Sequence, residues 1–380
     1  MQAKGIKLSF CSKKQSKLTR QLPNMLCQLL PVGLLLLHLS PCVASRPQFT
    51  CSSTLDCNLN GDCREHACRC DYGWKGPDCG VLDFLPAMAD VRGGAYGYSP
   101  NVTNGTWGGK PLLINGTYHL YVTEIADGSL SNWKRNSTVT HAVSSTPEGP
   151  YEKVSRVVPQ EAHNPDPILL QDGRLAIFHL GSGTAPANFS QNITHISEDG
   201  NPDGPFKPVY LGLDCNNPAP WQHKNGTLYL ACRNKTIFRG EIGGPWSQVA
   251  VLPPPMPGWG FEDPTLWIDY ERDAWHLMSH APNKTNGNII SSHFFSANGV
   301  NWTASQTQPY GNTALLSNGS YYHMNTRERP KLLFNEETGK PAYLFNGINA
   351  NPYCPVSPLG CKVHPHTNWD YLFVQPIRQQ

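Results

Sequence analysis

The chain has 380 residues, with 30 Lys and Arg against 28 Asp and Glu, 34 Gly, 34 Pro and 13 Cys. That length allows two or three domains, and 15 % charged residues with a formal charge of +2 exclude a polybasic nucleic-acid binder. Six of the basic residues precede residue 21 with no acid among them; without them the count is 24 against 28, or −4, so no polyanionic partner is implied.

In chain order, Lys4, Lys7, Lys13, Lys14, Lys17 and Arg20 form a positive n-region, residues 25–39 an apolar stretch, and Val43-Ala44-Ser45 a small-residue cleavage site. Residues 1–44 therefore read as a secretory signal peptide. The alternative is a type II signal anchor spanning a ~30 Å hydrocarbon core, the one form in which the protein would be membrane-bound or held in the Golgi. Pro31, His38 and Pro41 fit such a span badly. Sequons agree with a secreted glycoprotein: Asn101, Asn104, Asn115, Asn136, Asn188, Asn192, Asn225, Asn234, Asn283, Asn301 and Asn318 each begin N-x-S/T. Beyond the leader cysteines Cys11, Cys27 and Cys42 stand ten more, an even number suited to an oxidising compartment.

Six of these ten lie in residues 45–80: Cys51, Cys57, Cys63, Cys68, Cys70 and Cys79. A segment this short cannot bury enough apolar surface to offset its chain entropy, so disulfides must replace a core; six cysteines allow fifteen pairings. The ending Cys68-Arg-Cys70-Asp-Tyr-Gly-Trp-Lys-Gly-Pro-Asp-Cys79 resembles that of EGF-like domains. The resemblance implies the pairs Cys51–Cys63, Cys57–Cys68 and Cys70–Cys79, and a module serving as a spacer or as a docking surface for a protein partner. The acidic stretch of calcium-binding EGF modules is absent before Cys51, so no calcium is expected there. The other four cysteines form two local pairs, Cys215 with Cys232 and Cys354 with Cys361, both expected to be disulfides.

Residues 85–380 repeat. Five segments share a polar turn, a proline, an apolar stretch, a glycine-containing turn and a second apolar strand; they are anchored at Pro111, Pro167, Pro220, Pro264 and Pro330. N-G or D-G turns inside them are hairpin signals. Three units carry a further echo, Glu148-Gly-Pro-Tyr151, Asp203-Gly-Pro-Phe206 and Gly243-Gly-Pro-Trp246. Units of this length built from four short strands predict a mainly β protein, a five-bladed β-propeller behind the small disulfide-rich module, with a β-sandwich as the alternative. The segment Trp369–Val374 is expected to close the ring by pairing with an early strand. His141, His195 and His293 recur at one blade position, which favours a structural role, and Trp267 and Trp275 alternate as core residues.

This blade grammar resembles the five-bladed propellers of glycoside hydrolase family 43 and its relatives. The resemblance implies a glycosidase whose carboxyl groups converge at the starts of the inner strands, with a glutamate general acid in an E-x-P motif. Glu262, in Glu-Asp-Pro, matches that acid; Asp166, in Asn-Pro-Asp-Pro, is the expected base or nucleophile, and Asp263 and Glu328 are expected to tune the pair. Arg327 and Arg329 are candidates to hold an acidic sugar, His163 and His323 to bind hydroxyl groups, and Trp259 to stack on a sugar face. Two anchor positions lack the family's carboxylate, reading Lys110 before Pro111 and Ala219 before Pro220. Lys110 therefore counts as a binding candidate, and Asp90 as a replacement for the missing base. The rival expectation is a carbohydrate-binding or adhesion protein on the same fold. With no H-E-x-x-H, no metal-spaced Cys pair and no Gly-rich phosphate loop, no metal or other cofactor is expected. The expected partner is a glycan.

Overall fold

The computed structural model describes residues 49–89, 95–96, 104–126, 130–183, 193–282, 290–350 and 370–379. The expected leader, Asp90 and the sequons at Asn101, Asn188, Asn192 and Asn283 lie outside these residues. Within them the regular secondary structure is almost entirely strand, and most of it is arranged as five blades. Four blades are four-stranded antiparallel sheets: blade I from Gly105–Ile114 to Glu152–Val158, blade II from His163–Leu169 to Lys207–Tyr210, blade III from Ala219–Gln222 to Trp246–Val251, and blade IV from Glu262–Asp269 to Thr303–Ala304. Blade V consists of Thr326–Phe334, Pro341–Asn349 and Asp370–Pro376. The first strand of each blade is innermost, and the five inner strands neighbour one another in a closed ring.

Local chemistry sets the hairpins. Asn115 and Gly116 both have positive φ, 51° and 78°, the mirror-image turn that matches strand twist and that Asn-Gly adopts most readily. The Gly-Pro echoes of blades I to III are structurally equivalent: Gly149–Pro150, Gly204–Pro205 and Gly244–Pro245 are all cis and all precede the outermost strand. Apolar side chains fill the wedges between blades, as where Leu266, Ile268, Leu277 and Phe294 meet Ala231 and Ile237. Trp267 and Trp275 are core residues, as expected.

Blade V closes the ring. The strand Asp370–Pro376 pairs on one edge with Pro341–Asn349, while its other edge meets the chain leaving the disulfide module, through bridges Tyr96↔Leu372 and Phe84↔Ile377. The late segment thus meets the early chain as expected, but through isolated bridges rather than by pairing with an early strand.

The module carries the three disulfides that the resemblance implied, Cys51–Cys63, Cys57–Cys68 and Cys70–Cys79, and Cys215–Cys232 is likewise formed. The fifth expected disulfide, Cys354 with Cys361, is not among those observed, because Cys354 and Cys361 both lie outside the described residues. The module does not stand off as a spacer. Trp74 and Leu82 are buried in one cluster with Trp267, Met278, Leu332, Leu344 and Ile377 of blades IV and V. Around them Arg272 reaches both Asp62, at 2.9 Å, and Asp71, while Lys340 binds Asp269 at 2.7 Å and Glu271 at 2.8 Å. Thr307 donates to Asp78 at 2.6 Å. The described residues of the module thus share one buried cluster with blades IV and V.

Candidate functional site

Each blade enters the axis through the same device. Just before or inside the inner strand, one residue takes a left-handed conformation: Gly108, Asn164, Asn217, Asp263 and Arg329, with φ of 38°, 57°, 49°, 54° and 56°. In blades I, II, IV and V the pairing register slips there, which marks a bulge. This sets the true equivalence of the blades. Pro264 and Pro330 correspond to Pro165 and Pro218, not to Pro167 and Pro220, so the alignment on Pro111, Pro167 and Pro220 is two residues out for blades IV and V. Lys110, Asp166 and Ala219 share their level with Thr265 and Lys331. Glu262 and Glu328 share theirs with Trp107, His163 and Asn216.

Three layers follow from this register. The left-handed residues form a buried polar band: Arg329 pairs with Asp263, Asn217 donates to the same Asp263 oxygen at 2.6 Å, and Asn164 donates to Asn217 at 3.1 Å. At the fifth position a Cβ on Gly108 would stand 3.1 Å from Asn164 Oδ1 and 3.3 Å from Arg329 Cγ. Glycine is favoured there, because a side chain would be tight against both neighbours and would hold a conformation that L residues adopt at a cost.

One layer further along the strands, Asp166 is clasped by Lys110 at 2.8 Å and Lys331 at 2.5 Å, and Lys331 also donates to the Pro264 carbonyl at 3.0 Å. Burial pushes the Asp166 carboxyl up, but the two ammonium groups outweigh it and hold it below the ordinary carboxylate range. A carboxylate so held is an axial tie between blades I, II and V. The expected pairing of Asp166 with Glu262 as base and acid is not the geometry observed, and Lys110 is a partner of Asp166 rather than a group at the Glu262 mouth.

On the other side of the band, at the strand starts, stand Glu262 and Glu328 on the adjacent inner strands of blades IV and V. Glu262 is partly exposed and faces the Arg233 guanidinium at 2.9 Å. Glu328 is mostly buried; burial raises its pKa, His280 opposes the rise, and the negative charges of Glu262 and Asp370 add to it. Asp370 is itself pushed up to about 6 by burial, against the opposing bonds from Asn349 and the Leu130 amide. His280 Nδ1 lies 3.7 Å from Asp263 Oδ2 and 3.8 Å from Glu328 Oε2. Ligand atoms of Asp263, His280 and Glu328 fall within 4.8 Å of one another, the one such group among the described residues not made of disulfide cysteines. Arg329 already neutralises Asp263 in it.

The remaining candidates separate. His163 is buried at the Glu328 level, bonded to Ser137 Oγ at 2.9 Å and stacked on Trp133 at 4.8 Å, and burial lowers its pKa well below the usual value. Arg329 belongs to the band. Trp259 lies half-buried in the loop before Glu262, its amide bonded to the Met256 carbonyl. Two candidates are corrected. Arg327 is fully buried, bonded to Asn346 and Gln375 and sandwiched among Phe84, Tyr310 and Phe373, so it rivets blade V and offers nothing to a ligand. His323 is exposed on the separate hairpin strand Tyr321–His323, bonded to Thr313. Arg233 escaped the sequence reading. The Cys215–Cys232 disulfide and the bond from the Arg233 amide to the Asn216 carbonyl, 2.8 Å, fix its backbone beside the axis, and a charged residue directly after a paired cysteine was the available signal.

Comparison with solved structures places this architecture among known ones. An α-L-arabinofuranosidase from Podospora anserina in complex with cellotriose superposes with a TM-score of 0.51 at 11 % identity, over 81 % of this chain and 97 % of that one. The likeness is one of fold. The catalytic domain of a GH62 α-L-arabinofuranosidase from Coprinopsis cinerea (TM-score 0.49, 10 % identity, 81 % and 97 % covered) and a GH43_1 enzyme from Xanthomonas citri (0.48, 14 %, 73 % and 89 %) are more distant matches. No protein-family model matches the sequence, and comparison with curated proteins finds no sequence match.

Proposed function

We propose that the protein is a glycosidase that works in the secretory path or outside the cell, with Glu328 and Glu262 as its two working carboxyl groups. The observation that carries this reading is the pair itself: two glutamates at one level of adjacent inner strands, in unlike surroundings. Burial favours the neutral form of Glu328, which suits it to protonate the departing glycosidic oxygen. Glu262, nearer to solvent and facing Arg233, is the other partner, acting on water as base or on the sugar as nucleophile. This exchanges the donor role expected from the E-x-P motif and replaces Asp166 with Glu328. Asp263 and Arg329 position the pair, Trp259 offers a flat ring beside Glu262, and the positive leader and the exposed sequons at Asn115, Asn225 and Asn318 support the compartment.

The test uses a panel of oligosaccharides beside 2,4-dinitrophenyl glycosides, whose leaving group needs no proton. Glu328→Gln should cut turnover of the oligosaccharides by about 10²–10⁴ while sparing the dinitrophenyl substrates; Glu262→Gln should cut both. Unchanged turnover in both variants refutes the assignment. Tight glycan binding with no product from the unaltered protein would favour the carbohydrate-binding alternative.

A further inference from the structure

The axis has a second end. Past the Lys110–Asp166–Lys331 cluster the inner strands continue to the opposite face and line a cavity of about 630 Å³, within the range of small-molecule sites. Its lining begins at Lys110 and follows the strands outward, past Leu112, Ile168, Trp221 and Leu333, to the turn holding Glu336 and Glu337. From Lys110 to the end of its strand at Ile114 is about 13 Å at ~3.3 Å per residue. The hollow is half-open, with more apolar than polar wall, and its charged residues are Lys110 at the floor and Glu336 and Glu337 at the rim.

The floor carries an excess of positive charge. Two ammonium groups share one carboxylate, and while Lys331 has the Pro264 carbonyl as well, Lys110 has Asp166 as its one charged partner among the described residues. A cation incompletely balanced at the bottom of an apolar hollow favours an anion whose remainder is itself apolar. We infer that this cavity binds a small monocarboxylic acid with an apolar body, its carboxylate on Lys110 and its chain along Leu112, Ile168, Trp221 and Leu333. Glu336 and Glu337 at the rim act against any anion, but more strongly against the many charges of an anionic bilayer than against one carboxylate, which favours the free acid over a membrane phospholipid. The site shares no residue with the Glu262–Glu328 pair and does not depend on the glycosidase reading.

Calorimetric titration of the purified full chain tests it, with decanoate as the probe and decanol, decyltrimethylammonium and phosphatidylglycerol vesicles as the other arms. Decanoate should bind saturably at one site, decanol at least tenfold more weakly, and the cation and the vesicles not at all. Lys110→Met should weaken decanoate at least tenfold. Leu169, 46 % exposed at the cavity wall, supplies a second variant with little burden on folding, and Leu169→Glu should weaken decanoate as well. Absence of saturable decanoate binding, equal affinity for decanol, binding to the vesicles, or unchanged affinity in both variants would overturn the proposal.

Discussion

Paired imidazoles recur in the middle strands of three blades and make the fold sensitive to acid. His119 Nδ1 meets His141 Nε2 at 2.9 Å, His179 Nε2 meets His195 Nδ1 at 2.7 Å, and His276 Nδ1 meets His293 Nε2 at 3.2 Å. Burial is the first cause of lowered pKa values throughout, to about 4 for His141 and His195 and about 3 for His179 and His276. The unfolded chain takes up these protons near pH 6.5 while the native state refuses them, so the stability is present above 6.5 and lost as pH falls. Between pH 7.5 and 5.5 each of the four costs slightly more than about 1 kcal/mol, a figure insensitive to where below 4.5 the native value lies. The sum is about 5 kcal/mol. Asp370, raised to about 6, binds its proton in the native state and returns about 1 kcal/mol over the same interval. A net loss of about 4 kcal/mol is a large part of a typical 5–15 kcal/mol. Urea unfolding followed by tryptophan fluorescence at pH 7.5, 6.5 and 5.5 reads it directly. A His179→Gln, His195→Gln double variant should lose about 2–3 kcal/mol less than the parent over that range. A loss under about 1 kcal/mol in the parent, or an unchanged slope in the double variant, would mean that the paired imidazoles do not govern acid stability.

Arg272→Ala should lower stability by about 2–3 kcal/mol, less than a fully buried pair because the network is partly exposed, seen as a fall in Tm that Arg272→Lys does not fully restore. Gly108→Ala should cost about 1–3 kcal/mol and reduce turnover by displacing Arg329 from Asp263, measurable by melting and by kcat. Replacing both Cys215 and Cys232 with Ser should cost about 3 kcal/mol for its 17-residue separation; by loosening Arg233 it should also alter the pH profile of kcat/KM. Activity should fall as pH rises through the elevated pKa of Glu328, and Glu262→Gln, which removes one of the charges raising it, should move the titration of Glu328 to lower pH, read by NMR of the carboxyl carbon.

The blades were legible because their signals are local: Asn-Gly at 115–116, the Gly-Pro echoes, and cysteines spaced for staples. Even the third-strand histidines declared themselves structural by recurring. The register at the axis was not legible. Two prolines follow the left-handed residue in Asn164-Pro-Asp-Pro167 and Asn217-Pro-Ala-Pro220 but one in blades IV and V, so aligning prolines joined unlike positions. What distinguishes them is backbone conformation, and Asp263 and Arg329 carry no residue-type sign of positive φ as Gly108 does. Asp166 looked catalytic by sequence because its partners, Lys110 and Lys331, lie 56 and 165 residues away. Arg327 looked like a ligand contact because nothing local announces that three aromatic rings enclose it.

The seam between Asp370–Pro376 and the chain at Phe84 and Tyr96 gives the molecule a clasp. Residues almost 300 positions apart must meet before the circle shuts, so four blades can be complete while the fifth still lacks its outer edge. Such distant contacts slow assembly. They also make the tail the point at which the whole toroid locks: peel away Leu372 to Ile377, and the stapled module, the last blade and the central floor all lose their common fastening.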